Sequence, residues 1–326
     1  MPEASKTIAR KIPIRERTVA MGDVIGINGY RVNKIALRKR FTEGGYHIHE
    51  TPHFLVFTRA EAPSLFIVHW FAPEVINADL GNLLLEELKP LGILRNEQNF
   101  GEIFGAVIGS LFPYEVQRAW YTYATNTLRH YQQLLTQEDT SMLPASNTVM
   151  FAMLYRRVYA LLVGDTFLDA GCSFGFLPLL VAEHFPSLAK VVGIDIEVAP
   201  FTTTRRLAEE RYLDNVRFMQ ADLLADAFVG VGCFDTVTAL HVLEHFNEDD
   251  MYQVLKNLLD ITKQRLIVAV PHEKDTPEVI YGHKQLFSQA KLEAIGNWCL
   301  QQWHGEGTMR YEDCADGLLV VERHHA

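Results

Sequence analysis

The pattern of hydrophobic and polar positions changes at about Gly164. Beyond that point, short apolar runs of strand length alternate with segments long enough for helices. The apolar runs are Thr166–Ala170, Val191–Asp195, Val216–Met219, Phe234–Leu240 and Arg265–Val270, and the helical segments lie at about 174–185, 200–212, 249–261 and 288–296. Strands that alternate with helices predict βαβ units and a parallel sheet. We interpret Trp298–His304 and Gly317–Glu322 as a closing pair of strands.

The chain before Gly164 has two patterns of its own. Residues 44–71 contain three strand-like runs, Tyr46–His49, Phe54–Phe57 and Leu65–Val68. From Pro73 to about Val163, apolar residues recur at spacings of three and four, which predicts helices over 73–90, 113–137 and 147–163. Residues 1–20 are polar and basic, and we expect a loosely ordered arm there. The predicted organisation is a basic arm (1–20), an α+β accessory or substrate domain (21–145) and an α/β domain (146–326).

Composition and charge narrow the class of protein. The chain has 326 residues, of which 48% are hydrophobic and 21% charged, as in ordinary globular proteins. A formal net charge of -10 weighs against nucleic acid as a partner, since phosphate backbones need a basic surface. No apolar run approaches the ~18 residues that a membrane span needs. The four cysteines form no CxxC pair, which favours a reduced, cytoplasmic setting.

Small and acidic residues follow the first two strands of the alternating region. Asp169, Gly171, Ser173 and Gly175 come at the end of the first strand. The two glycines allow a tight turn and a close approach of the backbone to a ligand. Asp195 ends the second strand, where a carboxylate can accept two hydrogen bonds from ribose hydroxyls. This end of the sheet is therefore predicted to bind a nucleoside.

The kind of nucleoside follows from the acid at the first strand. A dinucleotide site has the pattern G-x-G-x-x-G, with a helix N-terminus that holds pyrophosphate. Asp169 would repel a pyrophosphate, but it suits the ammonium group of a methionine. Asp222, after the third strand, would accept from an adenine amino group. The residues thus favour an amino-acid nucleoside over a dinucleotide.

These motifs resemble those of class I S-adenosylmethionine-dependent methyltransferases. The resemblance covers roughly residues 147–323 and includes the segment Phe234–His245, which is similar to the fourth-strand motif of the ubiquinone-type enzymes. It implies a Rossmann-like sheet of seven strands whose last two strands form a hairpin. Ser173 departs from the family, which usually has glycine there. The residues that the resemblance assigns to S-adenosylmethionine are Asp169, Gly171, Ser173, Gly175, Asp195, Ile196, Asp222, Leu223 and Leu240.

A group of histidines with one acid suggests a metal site. His241, Glu244 and His245 follow the fourth strand, and a helical turn would put them on one face. His283 is a candidate fourth ligand. The pattern resembles small-RNA 2′-O-methyltransferases and metal-dependent ubiquinone O-methyltransferases, which carry Glu-x-x-Glu-His at this point. His241 replaces the first Glu, which would shift the preference from magnesium toward manganese, iron or zinc, or abolish binding.

Three roles for these residues stay open. A metal would lower the pKa of an acceptor hydroxyl and orient its oxygen toward the methyl group. Without a metal, His241 or His283 would act as the general base. In the third reading, the acid and imidazoles are structural hydrogen-bonding groups. His241, His245 and His283 are the candidate catalytic residues.

The acceptor is suggested by two further segments. Tyr281–Phe287 and Glu312–Val320 are similar to the mycofactocin oligosaccharide methyltransferases, which implies O-methylation of a sugar or small polyol. A phenolic small molecule is the next candidate, and an RNA 2′-hydroxyl the last. A non-catalytic methyltransferase-like binding module would have lost its cofactor motifs, whereas Asp169 and Asp195 are present. We expect the N-terminal region to cover the substrate, to form a homodimer interface, or both.

Overall fold

The computed structural model describes residues 18–30, 32–60, 64–137, 146–225 and 230–324. The chain divides into two compact units, Met1–His130 with Val279–Tyr281, and Tyr131–Glu278 with Gly282–Ala326. Residues 1–17 of the predicted basic arm lie outside the described residues. Its last three residues, 18–20, belong to a strand, so the arm was predicted too long. No helix of the described residues is both long enough and apolar enough to cross a membrane.

The first unit contains a sheet of five strands in the order β1-β2-β5-β4-β3. Strands β2 and β5 pair in parallel, and the other neighbours are antiparallel. The strands are β1 (Thr18–Met21), β2 (Val24–Asn28), β3 (His47–Glu50), β4 (Phe54–Thr58) and β5 (Leu65–His69). The helices that begin in the first unit are α1 (Lys34–Glu43), α2 (Asp79–Leu88), α3 (Glu97–Gly109) and α4 (Val116–Thr136).

Aromatic side chains form the core of the first unit. The rings of Phe41 and Phe57 stack with their centroids 3.9 Å apart, and Phe66 meets Phe41 edge-on at 5.0 Å. The three strand-like runs of residues 44–71 are β3, β4 and β5. The sequence did not predict β2 or α3, which approach so closely that a Cβ at Gly26 would lie 2.1 Å from the backbone oxygen of Ala106.

The second unit contains a sheet of seven strands in the order β11-β12-β10-β9-β6-β7-β8. All neighbours pair in parallel except β12, which is antiparallel to both β10 and β11. The strands are β6 (Thr166–Ala170), β7 (Lys190–Asp195), β8 (Val216–Gln220), β9 (Phe234–Leu240), β10 (Thr262–Val270), β11 (Gly307–Cys314) and β12 (Asp316–Arg323). The helices are α5 (Asn147–Leu161), α6 (Phe176–His184), α7 (Phe201–Glu210), α8 (Glu248–Ile261) and α9 (Gln289–Gln302). The predicted Rossmann-like sheet with a closing hairpin is confirmed.

The first strand of that hairpin was placed wrongly from the sequence. Trp298–His304 is not a strand, because α9 continues to Gln302 and buries Cys299 against the sheet. The true partner, β11, is Gly307–Cys314 at the edge of the sheet. Its residues are mostly half-exposed and polar, so it lacks the apolar alternation by which strands are recognised.

A bidentate ion pair joins α5 to this edge strand. The Nε and Nη2 atoms of Arg157 lie 2.5 and 2.6 Å from the two carboxylate oxygens of Glu312. Arg310, on the same strand, donates to Glu312 as well, at 2.8 Å. Hydrogen bonds from Arg157 lower the pKa of Glu312 to about 2. The planar guanidinium and the carboxylate match in geometry, which makes this pair stronger than an ordinary surface ion pair.

We expect Glu312→Gln to lower the free energy of unfolding by about 1–2 kcal/mol at neutral pH, after allowance for solvent screening at this partly exposed site. Since the folded state depresses the pKa of Glu312 from 4.5 to about 2, the stabilisation is present above pH 4.5 and is lost as the pH falls toward 2. Denaturant titrations across this range measure it. Glu306→Gln, an exposed change of the same charge, is the control. Equal losses in both variants would contradict the prediction.

Candidate active site

The turn after β6 is built from residues with left-handed backbone. Gly171, Ser173 and Gly175 have φ angles of 72°, 48° and 70°. A Cβ at Gly171 would lie 2.6 Å from a methyl of Val242, and one at Gly175 would lie 2.4 Å from the ring of Phe218. Both glycines are therefore required by backbone angle and by space. Ser173 adopts an angle that costs an L-residue roughly 1–2 kcal/mol, which glycine would avoid.

Asp169 is the buried acid of this turn. Its side chain accepts a hydrogen bond of 2.7 Å from the hydroxyl of Thr238 on the neighbouring strand β9. The residue is only 5% exposed, and burial raises the pKa of its carboxyl to about 7. A carboxyl in this environment becomes charged more readily when a cation, such as an ammonium group, approaches it.

Asp195 ties the end of β7 to the same turn. Its Oδ2 accepts from the backbone N–H of Ser173 at 2.7 Å, and its Oδ1 accepts from that of Glu197 at 2.9 Å. Each carboxylate oxygen has more than one acceptor site, so both can still accept from a ligand hydroxyl. Ile196 follows with its side chain 59% exposed at the same sheet edge.

The remaining predicted cofactor residues differ in exposure. Asp222 is exposed, and its Oδ1 accepts from the N–H of Leu224 at 2.9 Å, which closes an Asx-turn. Leu223 and Leu240 are each 7% exposed, so they offer apolar surface beside the turn rather than polar contacts. The carbonyl of Leu223 accepts from the Asn257 amide at 2.7 Å, which fixes this segment.

His241 begins the segment after β9 in a left-handed conformation, with φ 54°. Its Nε2 lies 2.8 Å from Oδ2 of Asp316, at the start of β12. Its Nδ1 lies 3.5 Å from Oε1 of Glu244. The ring of Phe151 on α5 packs against the imidazole, with centroids 4.8 Å apart. Strained backbone of this kind is concentrated at functional sites.

Glu244, His245 and His283 come together beside it. One ligand atom of each lies within 4.8 Å of the others, and this is the group in the described part of the chain that can hold a metal ion. Glu244 is 0% exposed, and neither of its carboxylate oxygens accepts a hydrogen bond from the described residues. Burial raises the pKa of Glu244 to about 7 and lowers the pKa of His245 to about 4.

The structure brings together three of the four predicted ligands and pairs the fourth, His241, with Asp316. The sequence analysis missed two acids, Asp316 and Glu273. Oε1 of Glu273 lies 2.6 Å from Nδ1 of His283. Glu273 follows the fifth parallel strand of the sheet, so an acid at that strand end was the signal available. Asp316 begins β12 directly after the hairpin turn, and the position of that turn could not be predicted because the preceding strand was misplaced.

The residues fit a divalent metal. A carboxylate that is buried among imidazoles without a hydrogen-bond donor is costly, and a cation would stabilise its charge. Two imidazoles and one carboxylate are ligands that manganese, iron and zinc accept. Three protein ligands leave coordination positions for a substrate oxygen.

Comparison with known proteins agrees with this geometry. Residues 167–265 match the family described as a methyltransferase domain. The chain is similar to the ubiquinone biosynthesis O-methyltransferase of Acinetobacter baylyi, with 33% identity over 84 residues, 26% of this chain and 34% of the relative. It is also similar to the demethylmenaquinone methyltransferase of Porphyromonas gingivalis, with 31% identity over 96 residues, 28% of this chain and 39% of the relative. The chain thus spans little more than a third of these curated relatives.

A solved structure that is similar in part is the magnesium protoporphyrin IX methyltransferase of Synechocystis PCC 6803 with bound SAH. It has a TM-score of 0.44 and 19% identity, and the match covers 64% of this chain and 99% of that one. Residues 167–265, which run from β6 into β10 of the seven-stranded sheet, therefore match a methyltransferase domain.

Proposed function

We propose that the protein is an S-adenosylmethionine-dependent O-methyltransferase that uses a divalent metal to methylate a hydroxyl of a sugar or small polyol. The observation that carries the metal and the site of transfer is the buried, unpartnered carboxylate of Glu244 between two imidazoles. The cofactor part of the proposal is supported by Asp169, Asp195 and the glycine turn. Each step below concerns residues of the second unit.

S-adenosylmethionine would lie across the ends of β6 and β7. We propose that the methionine part lies against the left-handed turn at Gly171 and Gly175. Asp169 would meet its ammonium group, and Asp195 would accept from the ribose hydroxyls. Asp222, Ile196, Leu223 and Leu240 are proposed to surround the adenine.

The metal would be held by Glu244, His245 and His283. With two imidazoles, manganese, iron and zinc are favoured over magnesium, which prefers oxygen ligands. When bound, the ion lowers the pKa of a coordinated hydroxyl and so makes it a better nucleophile. A diol suits such a site because its two oxygens can take two open positions.

We propose that His241 accepts the proton. Asp316 holds the imidazole through Nε2, so that Nδ1 is directed toward Glu244. The cofactor would supply the methyl group: the acceptor oxygen would bond to the methyl carbon as the bond from carbon to sulfur breaks, and S-adenosylhomocysteine would leave. The hydroxyl proton passes to Nδ1 of His241, whose positive charge the Asp316 carboxylate stabilises.

The choice of a sugar or polyol as the acceptor rests on three points. A diol offers two oxygens to one metal ion, the segments Tyr281–Phe287 and Glu312–Val320 resemble sugar methyltransferases, and the net charge of -10 disfavours RNA. The N-terminal unit is proposed to contribute to acceptor selection or to a homodimer. The cytoplasmic location stays a prediction.

The substrate class can be tested by label transfer. The protein is incubated with radiolabelled S-adenosylmethionine, manganese and panels of oligosaccharides, polyols and catechols. Transfer of label to catechols alone would contradict the proposed substrate class.

Asp195→Asn should weaken binding of S-adenosylhomocysteine about 10–100-fold, because it removes the charge that accepts the ribose hydroxyls. Calorimetry measures the affinity. Asp214→Asn is the matched control, since Asp214 is an exposed acid before the amino end of β8. Equal affinities in wild type and Asp195→Asn would contradict the cofactor assignment.

The affinity for S-adenosylhomocysteine should rise several-fold from about pH 5.5 to about pH 7.5. Burial raises the pKa of Asp169 to about 7, so its carboxyl is mostly neutral at the lower pH and becomes charged across this range. Only the charged form attracts the ligand's ammonium group. Calorimetry at a series of pH values, repeated with Asp169→Asn, makes the comparison. A rise of the same size in the variant would rule out Asp169 as its source.

Manganese and zinc should bind the protein saturated with S-adenosylhomocysteine, and Glu244→Gln or His283→Ala should abolish this binding. His241→Ala should retain it, because His241 lies outside the three-residue group. Calorimetric titration of metal-stripped protein measures all four forms. Loss of binding in His241→Ala would make His241 a ligand. If the wild type binds no metal while still binding the nucleoside, a histidine base acting alone replaces the metal in this proposal.

A further inference from the structure

Two histidine–carboxylate pairs flank the buried Glu244. In one, Nε2 of His241 contacts Asp316 at 2.8 Å. In the other, Nδ1 of His283 contacts Glu273 at 2.6 Å. The two pairs have the same chemistry, but only His283 belongs to the group that can hold a metal. Because Glu273 contacts a histidine of this group and Asp316 does not, Glu273 is the carboxylate that could act on the metal site.

The contact with Glu273 decides which ring nitrogen of His283 can act as a ligand. An ionised carboxylate only accepts hydrogen bonds, so Nδ1 must carry the hydrogen when it contacts Glu273. The other ring nitrogen, Nε2, then has its lone pair. Nε2 is on the side of Glu244, 3.9 Å from Oε1. The tautomer that Glu273 selects is therefore the one whose lone pair is directed into the metal group.

Glu273 is itself held in place. Its Oε1 also accepts from the backbone N–H of Glu278 at 3.1 Å. The N–H of His283 donates to the carbonyl of Glu278 at 3.3 Å, and the N–H of Lys284 donates to the carbonyl of Glu244 at 2.7 Å. These bonds fix the carboxylate of Glu273, the imidazole of His283 and the backbone of Glu244 relative to one another. The imidazole of His283 thus has one orientation before any ligand binds.

We infer that Glu273 is a positioning residue of the metal site, which fixes the tautomer and ring orientation of His283 and raises the basicity of its Nε2. This inference rests on the proposed function, because it requires the metal at Glu244, His245 and His283. A carboxylate behind a ligating imidazole commonly strengthens metal binding 10–100-fold. Glu273 acts through His283 and does not contact the metal.

The test uses Co²⁺, whose visible absorption reports the geometry of its ligands. Metal-stripped full-length protein, saturated with S-adenosylhomocysteine, is titrated with Co²⁺ by absorption and by calorimetry. We expect Glu273→Gln to weaken Co²⁺ binding about 10–100-fold and to change the absorption bands. Asp316→Asn is the matched control, because it also replaces a carboxylate by an amide, but in the pair of His241 and Asp316, which lies outside the metal group. Its Co²⁺ affinity should stay within about three-fold of wild type.

Unchanged Co²⁺ affinity and absorption in Glu273→Gln would overturn the inference and leave Glu273 a role in the loop alone. Thermal melting and S-adenosylhomocysteine affinity of each apo variant show that it is folded. If Glu273→Gln is not folded, Glu273→Met, which has a similar volume and no carboxylate, is tested in the same way. If wild type binds no Co²⁺, the inference and the metal fail together, whereas unimpaired nucleoside binding would leave the methyltransferase assignment standing.

Discussion

The parallel pairing of β6 with its two neighbours is the interaction on which the whole site depends. Asp169 is in register with Gly193 on one side and with Thr238 on the other. Because parallel strands end at the same edge, the residues after β6, β7 and β9 meet there, although they are far apart in the sequence. The Asp169–Thr238 hydrogen bond then spans two of these strands. The sheet thus brings the proposed cofactor residues and the histidine cluster to one edge.

Acids at this edge have different properties because their surroundings differ. Asp195 accepts two backbone N–H groups and is partly exposed. Asp169 is buried with one hydroxyl partner, and its pKa rises to about 7. Glu244 is buried with no hydrogen-bond partner among the described residues, which favours a cation as its neighbour. In the proposed function, three carboxylates therefore take three roles: Asp195 accepts ribose hydroxyls, Asp169 meets an ammonium group and Glu244 binds a metal.

The sequence predicted most elements of the second unit whose signal is local, but it missed β2 and α3 in the first unit. The buried strands β6, β7 and β9 are continuous apolar runs, and the glycine turn follows directly from Gly171 and Gly175. Two kinds of feature escaped. The edge strand β11 is polar, so its residues carried no strand pattern, and Trp298–His304 was chosen in its place. Glu273 and Asp316 act through contacts with distant histidines, and only the folded chain brings these partners together.

The backbone explains why His241, although its Nδ1 lies 3.5 Å from Glu244, falls outside the group of Glu244, His245 and His283. A helical turn after β9 would have placed His241, Glu244 and His245 on one face. The structure instead has a left-handed residue at His241, followed by a single 3₁₀ turn at Leu243–His245. That backbone reversal turns the imidazole toward Asp316 and leaves Glu244 and His245 to meet His283. The backbone at His241 thus separates the four predicted ligands into a histidine paired with Asp316 and a group of three residues that could hold a metal ion.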